Sequence, residues 1–335
     1  MTRVLVTGST GCVGANLVAA LNERGIEVVG LRRRTSPDDA THGLQMEVVI
    51  GDLLDIGSLR EAVRGVDWVF HVAAVSDYWR TSLKRILQVN VEGARNMMQA
   101  ALEAGVEKFV LTSSAAALGF PRPGRALLDE RDRCNLRVQD FPYAYSKQLA
   151  EDALQEYVKQ GLPAISVLPA AVMGPRDIKF VSGELIIQAI KGFPALPRGG
   201  LNYIDARDLA KGHIAAAEKG RIGERYILAG HNMTHRETMT QIADQLGTRV
   251  PPGEIPDWLI PPMAALSGLM QWLPLNLPID RGRMLASNKY LYYDNSKAVS
   301  ELGLNIRPFA DSIRDAYLWY KEHGYLARRG VRPTR

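Results

Sequence analysis

Cysteine occurs only twice in these 335 residues, as Cys12 and Cys134. That excludes a disulfide framework and any thiolate metal site of recognisable spacing, and a reducing, cytoplasmic setting is expected. Charge of one sign is also scarce: 41 lysines and arginines against 36 acids leave a net charge of +5. The visible clusters are Arg32-Arg33-Arg34 and a tail with Arg328, Arg329, Arg332 and Arg335. They are too small and too scattered for a nucleic-acid surface. There is no internal repeat and no low-complexity tract. The strand-like run Val4-Leu5-Val6 follows Met1 so closely that no signal or transit peptide is expected.

Long apolar runs are absent with one exception, the uncharged segment from Trp258 to Ile279. Pro261, Pro262, Pro274 and Pro278 leave about eleven residues of uninterrupted helix, on the order of 17 Å against a hydrocarbon core of about 30 Å. The segment is too short to span a bilayer. It reads as a greasy lid over an apolar substrate, with shallow contact on a membrane surface as the other option.

What is abundant is alternation. Short β-branched runs begin at Val4, Glu27, Glu47, Trp68, Phe109 and Ile165, and helical patterns separate them. Strands apolar on both faces and joined by helices predict an α/β fold with a doubly wound parallel sheet of the Rossmann type. Residues 1–170 read as the dinucleotide-binding domain, with a returning part near 201–230 that includes a strand at Tyr226–Ala229. Residues 171–200 and 231–335 read as a smaller, mostly helical substrate region. Capping boxes are expected at Ser58-x-x-Glu61 and Thr234-x-x-Glu237.

Between the first strand and first helix stands Thr7-Gly-Ser-Thr-Gly-Cys-Val-Gly14. Glycines at 8, 11 and 14 let backbone amides and the positive end of a helix approach a pyrophosphate. Gly8, Thr10, Gly11, Cys12, Val13 and Gly14 are the candidate cofactor loop. An acid after the second strand would accept bonds from a ribose 2′-hydroxyl, whereas Arg32 and Arg33 suit a 2′-phosphate, so NADPH is expected over NADH, with NAD still possible. Asp52 and Leu53 after the third strand, and Ala73 and Ala74 after the fourth, complete the cofactor side.

Tyr143-Ala-Tyr-Ser-Lys147 carries the chemistry. The spacing alone is uninformative, since Tyr293–Lys297 and Tyr317–Lys321 match it too. Only Tyr143 lies between consecutive strands of the nucleotide half, opposite Ser114 at a strand end. A phenol is a poor acid at neutral pH unless a cation favours its ionised form, and Lys147, one turn on, can provide that.

With these residues the chain resembles the extended short-chain dehydrogenase/reductases of the NAD-dependent epimerase/dehydratase superfamily. Further likeness lies in His71-Val-Ala-Ala74, Asn90-Val-Glu-Gly93 and Leu168-Pro169. The resemblance implies that Ser114 polarises a carbonyl, Tyr143 transfers the proton, and Lys147 binds the nicotinamide ribose and lowers the tyrosine pKa. It also implies that Pro169 and Val172 lie against the nicotinamide and that Asn90 supports the site. Gly174-Pro-Arg-Asp-Ile178 and Gly223-Glu-Arg-Tyr-Ile-Leu228 make the chain most similar to the dihydroflavonol-reductase-like group, which includes hopanoid-associated sugar epimerase-like bacterial members. Two departures separate it from the sugar-nucleotide enzymes: Arg32 and Arg33 stand where those keep an acid, and Leu201 stands where they place an arginine.

Three functions stay open: an NADPH-dependent reductase of an apolar ketone or aldehyde, an NAD-retaining sugar epimerase or dehydratase, and a non-catalytic NADP sensor. Expected pocket walls are Asp77-Tyr78-Trp79, Leu118-Gly119-Phe120, Met173, Tyr203 and residues 258–279. The expected partner is a small-molecule substrate. A homodimer through the helices near Ser82–Leu102 and Tyr143–Gln160 is a further option.

Overall fold

A computed structural model describes residues 2–76, 81–192, 194–270 and 281–331. In chain order its strands are β1 (Arg3–Thr7), β2 (Glu27–Arg32), β3 (Glu47–Ile50), β4 (Trp68–His71), β5 (Lys108–Thr112), β6 (Ala164–Pro169), β7 (Ala171–Met173), β8 (Ala195–Pro197), β9 (Gly200–Asp205), β10 (Arg225–Leu228), β11 (His231–Thr234), β12 (Gly253–Ile255) and β13 (Tyr290–Leu291). Among the described residues a seven-stranded parallel sheet runs β10-β6-β5-β4-β1-β2-β3. The order reverses between β1 and β4, the switch point at which such sheets bind ligands beyond their carboxyl ends.

The apolar runs go inside because helices cover both faces. On one face Leu17, Val18 and Leu21 of the helix Cys12–Glu23 join Leu209, Ile214 and Ala217 of the helix Ala206–Lys219 in one core. On the other, Leu59, Met97, Met98, Ala150 and Leu154 build a second core with Leu5, Val69 and Phe109. All six residues of β6 are buried, as a central strand covered on both faces requires.

The helix Ala206–Lys219 and β10 complete this unit, whereas β9 belongs to a smaller sheet in which it pairs with β7, β11 and β13. A third core gathers Phe180, Tyr203, Ile313, Trp319 and Tyr320 beneath that sheet.

One expected cap is displaced. The helix at Ser58 begins earlier, at Ile56, and Asp55 caps it by accepting from the amides of Gly57 and Ser58. Ser58 Oγ instead donates to the Asp55 carbonyl at 2.8 Å and accepts from the Asp52 amide at 3.1 Å. The carboxylate, three residues closer to the strand, wins the terminus. At the other site Thr234 and Glu237 form the reciprocal capping box, and the helix His235–Leu246 ends on left-handed Gly247.

The helix Ile260–Met270 is eleven residues long. Among the described residues no helix is long and apolar enough to cross a membrane.

Candidate active site

The sharp turn after β1 starts with Gly8 at φ +66°, where a Cβ would meet the Ala73 backbone at 2.8 Å. Gly14 closes the turn from the helix side: its Cβ would lie 2.2 Å from the Gly8 carbonyl oxygen. Gly11 differs. Its Cβ would touch only the Gly8 oxygen, at 3.5 Å, and it caps the helix Cys12–Glu23 without a side-chain hydrogen bond. The first turn of that helix therefore keeps its amide donors for a ligand, and the space beside Gly11 is a cradle that a Cβ would fill.

That cradle is one end of a cavity of about 880 Å³. The loop residues Gly8, Thr10, Gly11, Cys12, Val13 and Gly14 line it. So do Arg32 at the end of β2 and Arg33 just past it, Asp52 and Leu53 beyond β3, and Ala73 and Ala74 beyond β4. Ser114, Tyr143, Lys147, Pro169 and Val172 line it as well. These residues come together because, Val172 within β7 apart, each stands at a strand's carboxyl end or on the first turns of the following helix. The amide-lined cradle and the small residues at 73 and 74 fit a nicotinamide dinucleotide.

The chemical end is a ladder between β5 and the helix Pro142–Lys159. The Tyr143 hydroxyl hydrogen-bonds the Ser114 side chain. Lys147 Nζ donates to the Thr112 carbonyl at 2.8 Å and stands 5.8 Å from the Tyr143 ring centroid. Burial pushes Lys147 down to about 8, partly offset by the charge of Glu151. Burial also raises the Tyr143 pKa, and the Ser114 hydrogen bond opposes that rise. Lys147 is expected to lower the tyrosine; the net direction is upward, because desolvation outweighs the bond from Ser114.

Two supporting groups flank this ladder. Thr7 Oγ1 accepts from the amides of Val72 and Ala73, both at 3.1 Å, so its proton goes to His71 Nδ1 at 3.0 Å. His71 is thereby an acceptor, and burial pushes it to about 3. Asn90 sits in a π-helical turn at Gln88–Glu92, holds both backbone groups of Val75, and donates to Ser146 Oγ at 3.0 Å. It ties the segment after β4 to the Tyr143 helix without lining the cavity itself.

The competing tyrosine motifs resolve into structure. Lys297 pairs with Glu224 at 2.6 Å and stands over the Tyr226 ring, while Tyr317 is packed in the third core. Tyr293 does line the cavity, from the far end of the chain.

The expected walls are corrected in part. Gly119, Phe120 and Tyr203 line the cavity, but Leu118 and Met173 are each 1% exposed and belong to the packed cores. No described residue between 258 and 266 lines it, and Trp258 is 73% exposed. Asp77-Tyr78-Trp79 and residues 271–279 lie outside the described residues. Walls not expected from the sequence include Ile178, Leu185 and Gln188 from one segment and Leu201, His235 and Leu291 from distant ones. Their convergence depends on the second sheet, which no local pattern announces.

Comparison with known proteins places the chain. Residues 4–229 match the model of the NAD dependent epimerase/dehydratase family. A protein named putative dihydroflavonol 4-reductase from Synechocystis is 36% identical over 96% of this chain and 95% of its own length. Sterol demethylase protein B of Methylococcus capsulatus is 33% identical over 96% and 99%. The crystal structure of gox2253 superposes with a TM-score of 0.84 at 36% identity, covering 97% of this chain and 99% of that one. The chain belongs to the NAD-dependent epimerase/dehydratase family, within the extended short-chain dehydrogenase/reductases, and is an NAD(P)-dependent oxidoreductase.

Proposed function

We propose that this protein is an NADPH-dependent reductase that converts a ketone or aldehyde on a mostly apolar small molecule to the alcohol, with Tyr143 as general acid. The observation that carries the reading is the hydrogen-bonded Tyr143 and Ser114 pair backed by Lys147, set in the same cavity as Arg32 and Arg33. The glycine cradle would hold the pyrophosphate, Arg32 and Arg33 the 2′-phosphate, Lys147 the nicotinamide ribose, and Pro169 and Val172 the ring face. NADPH supplies the hydride when bound. Ser114 holds the substrate oxygen, and Tyr143 hands its proton to that oxygen as negative charge develops there. Burial alone makes the phenol a poorer acid, so proton transfer calls on Ser114 and Lys147 to stabilise the phenolate as it forms.

The apolar character of the substrate is supported by Phe120, Ile178, Leu185, Leu201 and Leu291 in the wall. The relatives named for a dihydroflavonol and a sterol agree with it.

The test begins with mass spectrometry of dinucleotide released from the denatured, freshly purified protein, followed by NADPH and NADH titration of the emptied enzyme. An empty protein that prefers NADPH and consumes it with an apolar ketone or aldehyde supports the proposal. Stoichiometric retained NAD would replace it with an epimerase or dehydratase, and binding without turnover of any carbonyl would favour a sensor.

A further inference from the structure

Beneath the Tyr143 and Lys147 pair lies a carboxylate for which the chemistry just described has no use. Glu151 follows Lys147 by four residues on the same face of the helix Pro142–Lys159 and is 6% exposed. One of its oxygens accepts from Ser113 Oγ. The other pairs with Arg225 Nε at 2.6 Å. Arg225 is anchored in turn, its Nη1 donating to the carbonyls of Glu130 at 2.7 Å and Asp132 at 2.9 Å.

Three consecutive residues at the end of β5 are thus gripped by three consecutive turns of one helix. Ser114 meets Tyr143, the Thr112 carbonyl meets Lys147, and Ser113 meets Glu151. The Ser113 amide also donates to the Val167 carbonyl of β6 at 2.8 Å, so the gripped segment stays in register with the sheet.

We propose that Glu151, with Arg225 as its anchor, is a positioning residue for the reaction: its carboxylate locks the strand end that carries Ser114 to the Tyr143 helix and supplies the counter-charge for the Lys147 ammonium. The inference rests on the reading of Tyr143 and Lys147 given above. Its electrostatic half follows from the neighbours. Lys147 is faced by Glu151 on its own helix, by Tyr143, and by His71 of β4, which burial keeps neutral. Glu151 is faced by Arg225 of β10 and by Arg133, with Glu130 beyond. Glu151 is the one negative charge acting on Lys147 among these groups.

The test reads Lys147 directly. In protein labelled with ¹³C at lysine Cε, the Lys147 resonance is assigned by its disappearance in Lys147→Arg and followed through a pH titration. Glu151→Gln, which preserves shape, should lower the Lys147 midpoint by about one pH unit, the low end for loss of a nearby opposite charge. An unchanged midpoint in the folded variant would overturn the proposal. A bare Arg225 would destabilise Glu151→Gln, so the double variant Glu151→Gln/Arg225→Met, which buries no unpaired charge, is titrated beside it; its midpoint should fall too, by less than in the single variant, because the Arg225 cation goes with the anion. Failure of the underlying reading is separable: Tyr143→Phe would then leave turnover undiminished whatever Lys147 does.

Discussion

A Cβ on Gly14 would lie 2.2 Å from the carbonyl oxygen of Gly8, whereas one on Gly11 would approach the same atom no closer than 3.5 Å. The two glycines therefore serve different ends. Gly14→Ala forces backbone apart and should lower stability by about 1–3 kcal/mol, the usual range for overpacking. Gly11→Ala should leave the melting temperature unchanged while filling the pyrophosphate cradle and weakening NADPH binding. Thermal unfolding and NADPH titration of both variants separate the two effects; equal melting temperatures for both would contradict the geometry.

Tyr143→Phe removes the hydroxyl bonded to Ser114 and little else. Carbonyl reduction should fall by about 10²–10⁴-fold, the usual contribution of a positioned acid. NADPH affinity should hold to within about a factor of two, since the phenyl ring keeps its packing. Stopped-flow NADPH oxidation and fluorescence titration measure the two quantities.

Arg32 ends β2 and Arg33 follows it, and among the described residues the ion-pair partner of Arg32 is Asp38, at a loose 3.7 Å. Arg33→Ala should weaken NADPH by about tenfold, the value of one lost charge-assisted hydrogen bond, and leave NADH untouched. An unaltered ratio of the two dissociation constants would remove the basis for the NADPH preference.

Two buried histidines fix an acid limit to stability. His213 Nδ1 meets the Leu209 carbonyl at 2.8 Å and so carries the proton, leaving Nε2 to accept from Thr112 Oγ1 at 2.9 Å. Burial lowers its pKa from 6.5 to about 4, and that of His71 to about 3. Between those values and 6.5 the unfolded chain binds more protons than the folded one, so stability is lost as pH falls through that window. The slope should approach about 1.4 kcal/mol per pH unit for each histidine. Urea titrations from pH 7 to 4.5 should show a shallower slope for His213→Gln than for the parent.

Much of this arrangement is legible in the sequence because it is local. A strand that is apolar on both faces, a glycine turn and an i,i+4 tyrosine and lysine each announce themselves within a dozen residues. The displaced cap at Asp55 shows how close competitors mislead, since Ser58 and Glu61 have the right spacing but a carboxylate three residues earlier takes the amides. Pocket walls are harder still. Leu118 and Phe120 are two residues apart, yet one is in the core and the other faces the cavity. Glu151 and Arg225 are 74 residues apart, and only the pairing of β10 with β6 brings them together.

That pairing also orders events at the ribosome. β6 is complete at Pro169, but its outer partner begins only at Arg225. At typical synthesis rates the intervening residues take roughly 3–11 s to appear. During that interval the outer edge of β6, whose six residues are all buried in the finished fold, lacks its strand partner, and an unpaired edge is a template for pairing with another chain. The half-made chain thus carries an edge that the finished fold covers, and its yield in a cell should respond to elongation speed across residues 170–224.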